Sequence, residues 1–331
     1  MKRLLLLLSL VFTVGIAQAQ QDPQFTQYMF NKLYFNPAVA GADYEFGELT
    51  LLHRSQWAGY NSTFNDGSAP TTQSLSFSMP MPRKETFEGN PIGFGVNFVN
   101  DEYGLLTSQE AQLSLAYHIR LKRGQLSIGL RGGVYNQSIN SELLRPVEPG
   151  DPLIPIGGSI NDLVPDMSVG VYYHTVKYFF GLSVNRILGS EFTFENAGQQ
   201  LTADNLTKMV PHGNFMAGYN WDASPRLTIS PMALVKWASP NNFSLEGSAI
   251  GTYDETFYLG LSYRQGESAS ALAGIYLMRQ KQLRVGYAFD LVVQGNNAKS
   301  NTSHEIRMTY RVPPIIKRAP SMIHTPKYMY F

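Results

Sequence analysis

From residue 47 onward the chain is written in about fourteen stretches of alternating apolar and polar residues, joined by connections that are by turns long and very short. In Gln282–Leu291, for example, Leu283, Val285, Tyr287, Phe289 and Leu291 fall on one side, while Gln282, Arg284, Gly286, Ala288 and Asp290 fall on the other. A strand sends successive side chains to opposite faces, so one face suits lipid and the other a polar lumen. The same alternation runs through Leu113–Ile119, Leu126–Leu130, Met167–Tyr173, Phe257–Tyr263 and Ile306–Val312. Strands are expected near 47–57, 70–80, 91–100, 106–120, 124–138, 164–175 and 177–187. Seven more are expected near 211–221, 225–238, 242–252, 255–264, 267–279, 281–292 and 302–312. This predicts an all-β fold, a transmembrane antiparallel β-barrel of about 14 strands.

The connections agree with that reading. Leu121-Lys122-Arg123, Thr175-Val176-Lys177, Asp222-Ala223-Ser224 and Tyr253-Asp254 are short and fall on one end, expected to be periplasmic. Ile139–Leu163, Leu188–Val210 and Val293–Asn301 are long and fall on the other; Met81–Asn90 is longer than the rule prefers. A soluble β-sandwich would also alternate, but nothing in it would sort long and short loops by parity. With 19 Tyr, 19 Phe and 29 Gly, the composition suits aromatic girdles and close strand packing.

Residues 1–19 read as a signal peptide: Lys2 and Arg3, an apolar run from Leu4 to Ile16, then Ala17-Gln18-Ala19. The run is too short for a membrane anchor. The chain has no cysteine, which excludes disulfides, thiolate metal sites and a lipid-modified amino terminus. A formal net charge of +1 gives no broad attraction for nucleic acid.

Residues 20–46 form a separate N-terminal periplasmic segment ahead of the barrel at 47–312. Asp22-Pro23 reads as a helix start, and Phe25, Met29 and Leu33, with Tyr28 nearby, share one face of a short helix that Asn36-Pro37 stops. Such a helix either plugs the periplasmic mouth or docks a partner. Pro313-Pro314 ends the last strand and leaves a tail, 313–331, also expected to be periplasmic, that mixes Lys317, Arg318 and Lys327 with Ile315, Ile316, Met322, Met329, Tyr330 and Phe331.

No chemistry stands out. The histidines at 53, 118, 174, 212, 304 and 324 are each alone, without a helix-spaced metal pair, and are read as lumen or girdle residues. Gly93-Phe94-Gly95 and Gly129–Gly133 lack phosphate-loop spacing and are read as relieving crowding in strands. Asn100-Asp101 is read as a tight outer turn rather than a calcium site. No catalytic, cofactor or metal residues are assigned, and an enzyme is not expected.

The segment Gln21-Asp22-Pro23-Gln24-Phe25-Thr26-Gln27-Tyr28-Met29-Phe30-Asn31, continuing through Asn36-Pro37-Ala38-Val39-Ala40-Gly41, resembles the PorP/SprF family of Bacteroidetes outer-membrane proteins. Arg54-Ser55-Gln56-Trp57, Pro91–Gly95 with Asn100-Asp101 and Gly104, and Pro165–Tyr173 fit the same pattern. The resemblance implies a part in type IX secretion and gliding motility. Its expected partners are the translocon, periplasmic ring proteins and the C-terminal domain of a secreted surface protein or adhesin, in an integral outer-membrane barrel with both termini periplasmic. It turns the reading of the N-terminal segment toward docking, with Asp22, Pro23, Phe25, Gln27, Tyr28, Asn36, Pro37, Gly41, Arg54 and Trp57 as partner-binding candidates. The outer loops 139–163 and 188–210 are the expected surface for gripping a substrate. The alternative is a passive outer-membrane channel for small solutes, and it turns on the lumen. Arg131, Arg284, Arg307 and Arg311, set against Glu246, Asp290 and Glu305, either knit a closed polar core or line a pore.

Overall fold

A computed structural model describes residues 23–43, 46–59, 69–81, 91–140, 159–193, 195–196, 199–200, 208–239, 242–278, 281–293 and 300–313. Residues 1–22, with Asp22, and residues 314–331 lie outside the described residues. The strands are β1 (Gly47–Ser55), β2 (Thr71–Pro80), β3 (Ile92–Tyr103), β4 (Leu106–Leu121), β5 (Gly124–Asn140), β6 (Ser159–His174) and β7 (Tyr178–Asn185). Next come β8 (His212–Tyr219, continuing after Asn220 as Trp221–Ser224), β9 (Leu227–Ser239), β10 (Asn242–Tyr253) and β11 (Phe257–Arg264). The last three are β12 (Ser268–Leu277), β13 (Leu283–Val292) and β14 (Thr302–Val312).

Every strand pairs antiparallel with its neighbours in sequence, and β1 pairs with β14 from Gly47↔Val312 to Ser55↔His304. The result is a closed barrel of 14 strands. Closure leaves no edge of unpaired N–H and C=O groups, which a hydrocarbon environment would penalise heavily. Among the described residues no helix is long and apolar enough to cross a membrane; the strands cross instead.

The alternation divides the side chains between two surfaces. Leu113, Leu115, Tyr117, Ile128, Leu130, Leu259, Leu261, Ile306 and Met308 point outward, with Leu261 70% exposed. Ser114, Ser127, Arg131, Ser168, Asp290, Glu305 and Arg307 point inward and are buried. So large an apolar exterior is stable only against lipid.

Strand bounds depart from the sequence expectation in two informative places. The third strand runs on to Tyr103, so Asn100 and Asp101 lie within the ladder, not at a turn; Asp101 accepts the Thr72 hydroxyl at 2.5 Å. The turn is instead at Gly104, whose φ of +61° suits a residue without a side chain. The sixth strand begins at Ser159, so the connection expected at 139–163 shrinks to 141–158, which lies outside the described residues. Substituting Leu261→Arg should cost about 2–4 kcal/mol in urea unfolding from phospholipid vesicles, since that face meets the lipid near mid-strand. Loss of less than half that amount would mean this face does not contact hydrocarbon.

Candidate functional site

The lumen is occupied by the chain's own N-terminal segment. Residues 23–43 run from the end bearing the long connections, beside Arg264, to the short-turn end, beside Gly93 and Arg311. The single short helix expected from Asp22 to Asn36 does not form. A 3-10 turn at Tyr28–Phe30, one turn of α-helix at Lys32–Phe35 and a second 3-10 turn at Pro37–Val39 stand in its place. The backbone bonds in short turns, Phe30 to Gln27, Asn31 to Tyr28 and Asn36 to Lys32, and the wall satisfies the amides and carbonyls that such short turns leave over.

Arg131 donates to the carbonyls of Leu33 and Tyr34, the latter at 2.7 Å, and Ser183 donates to the carbonyl of Phe35 at 2.7 Å. Glu305 accepts the backbone amides of Thr26 and Gln27 at 2.8 and 2.9 Å, one on each carboxylate oxygen. Thr26 Oγ1 donates to Asp290, and Arg54 Nη1 lies 2.7 Å from Asp290 and 3.3 Å from Glu305. Arg54, Asp290 and Glu305 are each at most 1% exposed, so this is a fully buried charge cluster built around a backbone turn. Nearby, Arg264 pairs with Glu246 at 3.0 Å and donates to Gln24 Oε1 at 2.7 Å. Arg307 donates to Gln27 Oε1 at 3.2 Å and sits over the Phe30 ring.

Apolar contacts fill the space between these anchors. Phe25, Tyr34 and Phe35 meet edge to face, with centroids 5.0 to 6.3 Å apart, and join Tyr28 and Met29 against Leu52, Val99, Met216, Leu234 and Tyr258 of the wall. Toward the short-turn end contact becomes backbone to backbone. Asn36 caps the turn after it by accepting from the Ala38 amide at 2.9 Å, and its amide group donates to the Val171 carbonyl at 2.9 Å. A side chain at Gly93 would collide with Ala40, and one at Gly129 with Pro37 and Ala38. His118 Nε2 donates to the Ala40 carbonyl at 3.0 Å while its Nδ1 accepts from Ser127 at 2.7 Å. This Ser–His pair faces the plug backbone, so it acts as a clamp.

Of the residues expected to bind a partner, Phe25, Gln27, Tyr28, Asn36 and Arg54 are at most 1% exposed. Pro23, Pro37 and Gly41 are buried too; Trp57 is partly exposed, with φ of +53°, and Asp22 lies outside the described residues. The structure therefore brings these side chains against the barrel wall, where a partner would meet them only if the segment left the lumen. Sequence reasoning missed Arg264, Ser183, His118 and Asn185 as the wall's side of the contact. The lumen-facing glycines at 93, 129 and 170 were the available signal, since a glycine inside a strand marks a close approach of backbone. Of the lumen charges weighed above, Asp290 and Glu305 pair with Arg54 and the plug, Glu246 with Arg264, Arg284 and Arg311 with Glu48 and Asp43, and Arg131 and Arg307 bond to the plug.

The mouths differ. At the long-connection end Phe192 and Met209 fold inward against Tyr135, Ile160 and Val164. Arg186 there pairs with Glu110 at 3.0 Å. At the short-turn end a cavity of about 750 Å³ remains below the plug. Lys32, which belongs to the plug and not to a strand, lines it; burial lowers its ammonium pKa to about 8, with the attraction of Glu48 opposing. Among the described residues no group of acidic and histidine side chains is arranged to hold a metal ion.

Replacing Arg54 by Leu leaves Asp290 and Glu305 buried without their cation, and should cost about 3–5 kcal/mol. The cost should appear as protease cleavage within residues 23–31 of a barrel that still migrates as folded on unheated gels. Unchanged protection would show that the cluster does not retain the segment.

A family model described as "Type IX secretion system membrane protein PorP/SprF" matches residues 17–310. No curated protein matches the chain. Among solved structures, the barrel is similar to the CymD monoaromatic hydrocarbon channel at 14% identity and a TM-score of 0.55, covering 91% of this chain and 95% of that one. It is also similar to the toluene transporter TbuX of Ralstonia pickettii, at 11% identity and 0.52, covering 85% and 92%. A mutant TodX monoaromatic hydrocarbon channel aligns at 12% identity and 0.51, covering 85% and 94%. At these identities the likeness is one of fold.

Proposed function

This chain belongs to the PorP/SprF family of type IX secretion system membrane proteins, and on that premise we propose that it helps export a secreted surface protein and anchors it through that protein's C-terminal domain. The observation that carries this reading is the filled lumen. A passive solute channel needs a continuous aqueous path, whereas here residues 23–43 cross the lumen and bond to the wall at several levels. A barrel closed by its own chain can hold a partner in the outer membrane without leaking solutes.

On this reading the translocon and periplasmic ring proteins meet the short-turn end, and the surface protein meets the long connections. Pro23, Phe25, Gln27, Tyr28, Asn36, Pro37, Gly41 and Arg54 serve docking indirectly, by fixing the shape of the closed barrel; Trp57, near the long-connection rim, is the one that a partner can touch directly. Asp22 lies outside the described residues. The carboxy-terminal end of β14 is assigned to the periplasmic side, whereas residues 23–27 lie toward the long-connection end of the lumen, so the expectation of a periplasmic amino terminus is given up. The chain carries out no catalysis in this reading.

Two measurements test the proposal together. The purified protein in a planar bilayer is expected to show no large steady conductance, while Gly129→Val, which forces Pro37 and Ala38 off the wall, should open one. A mild-detergent pull-down from native outer membranes is expected to recover type IX components or one large surface protein. Steady conductance by the unmodified chain, with no co-purifying partner, would replace this reading with the passive channel.

A further inference from the structure

The cavity at the short-turn end has a wall of two natures. One part is apolar and aromatic, with Phe30, Phe46, Phe179, Met232 and Ile250. The other carries Lys32, Arg120, Arg284 and Arg307 against only two carboxylates, Asp43 and Glu48. Both carboxylates are already engaged. Glu48 lies 3.2 Å from Arg284 and 3.7 Å from Arg311, and Asp43 lies 2.8 Å from Arg311.

Lys32 is left over. It has no hydrogen bond and no ion pair to any described residue, and its Nζ sits 3.7 Å from the centroid of the Phe179 ring. The bland account is that this cation–π contact alone holds it, but a ring face neutralises no charge. An ammonium that lines a cavity beside an apolar wall, with no carboxylate on it, is a ready partner for an anion entering that cavity. The volume falls within the range of small-molecule sites, roughly 300–1,000 Å³. The plug closes the space from above, so whatever binds must come and go through the short-turn mouth.

We propose that this cavity binds a small amphiphilic carboxylate, with its anionic head on Lys32 and its apolar body along Phe46, Phe179 and Ile250. A single ammonium on a flexible stem suits a monoanion, and the apolar wall suits a body larger than an inorganic ion. The same chemistry is offered by a free organic acid and by the C-terminal carboxylate of an apolar peptide. The site does not depend on the secretion role argued above.

The test is calorimetric titration of the full chain in phosphatidylcholine nanodiscs. The probes are 4-phenylbutyrate against 4-phenylbutanol, and an apolar hexapeptide acid against its C-terminal amide. The acid of at least one pair should bind saturably and about tenfold or more tighter than its neutral counterpart, in keeping with a charge-assisted contact. Binding of phenylbutyrate identifies a free acid as sufficient; binding of the peptide acid alone identifies a chain terminus, and both support the site. Lys32→Met should lose that preference and Lys32→Arg should keep most of it. Equal binding of acid and neutral probes, or no binding of either, overturns the proposal on the unmodified chain. So does displacement of the acid by equimolar inorganic phosphate, and so does a folded Lys32→Met variant that binds as the original does.

Discussion

The Glu305 carboxylate, accepting two successive backbone amides from Thr26 and Gln27, is the contact on which the interior depends. A segment without regular secondary structure carries amides and carbonyls that it cannot satisfy itself, and in a barrel interior those groups must find partners in the wall. Glu305 supplies acceptors for the amides, Arg131 and Ser183 supply donors for the carbonyls, and Arg54 makes the pair of carboxylates at 290 and 305 tolerable. The wall in turn requires the plug. Without Thr26 between Asp290 and Arg54, and without Gln27 on Arg307, the charged wall would face an empty lumen.

Much of the barrel was legible in the chain because its signal is periodic. Thr302–Val312 is a strand just where the alternation places it, and the other strands fall within a few residues of expectation, because a slip by one would turn every lipid-facing side chain inward. The N-terminal segment was misread as a helix for a physical reason. Phe25, Met29 and Leu33 do have helical spacing, but that spacing only says which residues bury together, and Phe25 buries against Tyr34 and Phe35 by turning back. The segment's polar partners lie far away in the chain, Arg131 almost a hundred positions on, and no local pattern carries that. Arg54 was singled out through its place in a specific motif, but as a docking residue for a partner and not as the cation that holds the segment.

Barrels of this outline are shared with hydrocarbon channels, and the outline does not decide the use. What distinguishes a conduit from a closed scaffold is the character of the lumen. Here the two halves of the plug are held differently. Near the long-connection end the hold is a buried cluster of carboxylates and guanidinium groups; near the short-turn end glycines at 93 and 129 let backbone meet backbone, beside hydrogen bonds from His118 and Asn36 and the half-buried Asp43–Arg311 pair.

That division has a consequence for how the segment could ever be released. Ionic contacts in a dry interior are lost all at once when one member is removed, because each remaining charge is then buried alone. The close approaches at Gly93 and Gly129 meet neighbouring plug residues, Ala40 and Pro37–Ala38, so they too act together. A perturbation that reaches Glu305 removes the acceptor of both the Thr26 and the Gln27 amide. A partner acting on the long-connection rim, where Trp57 donates its amide to Ser303 two residues before Glu305, is placed to act on the ionic half directly.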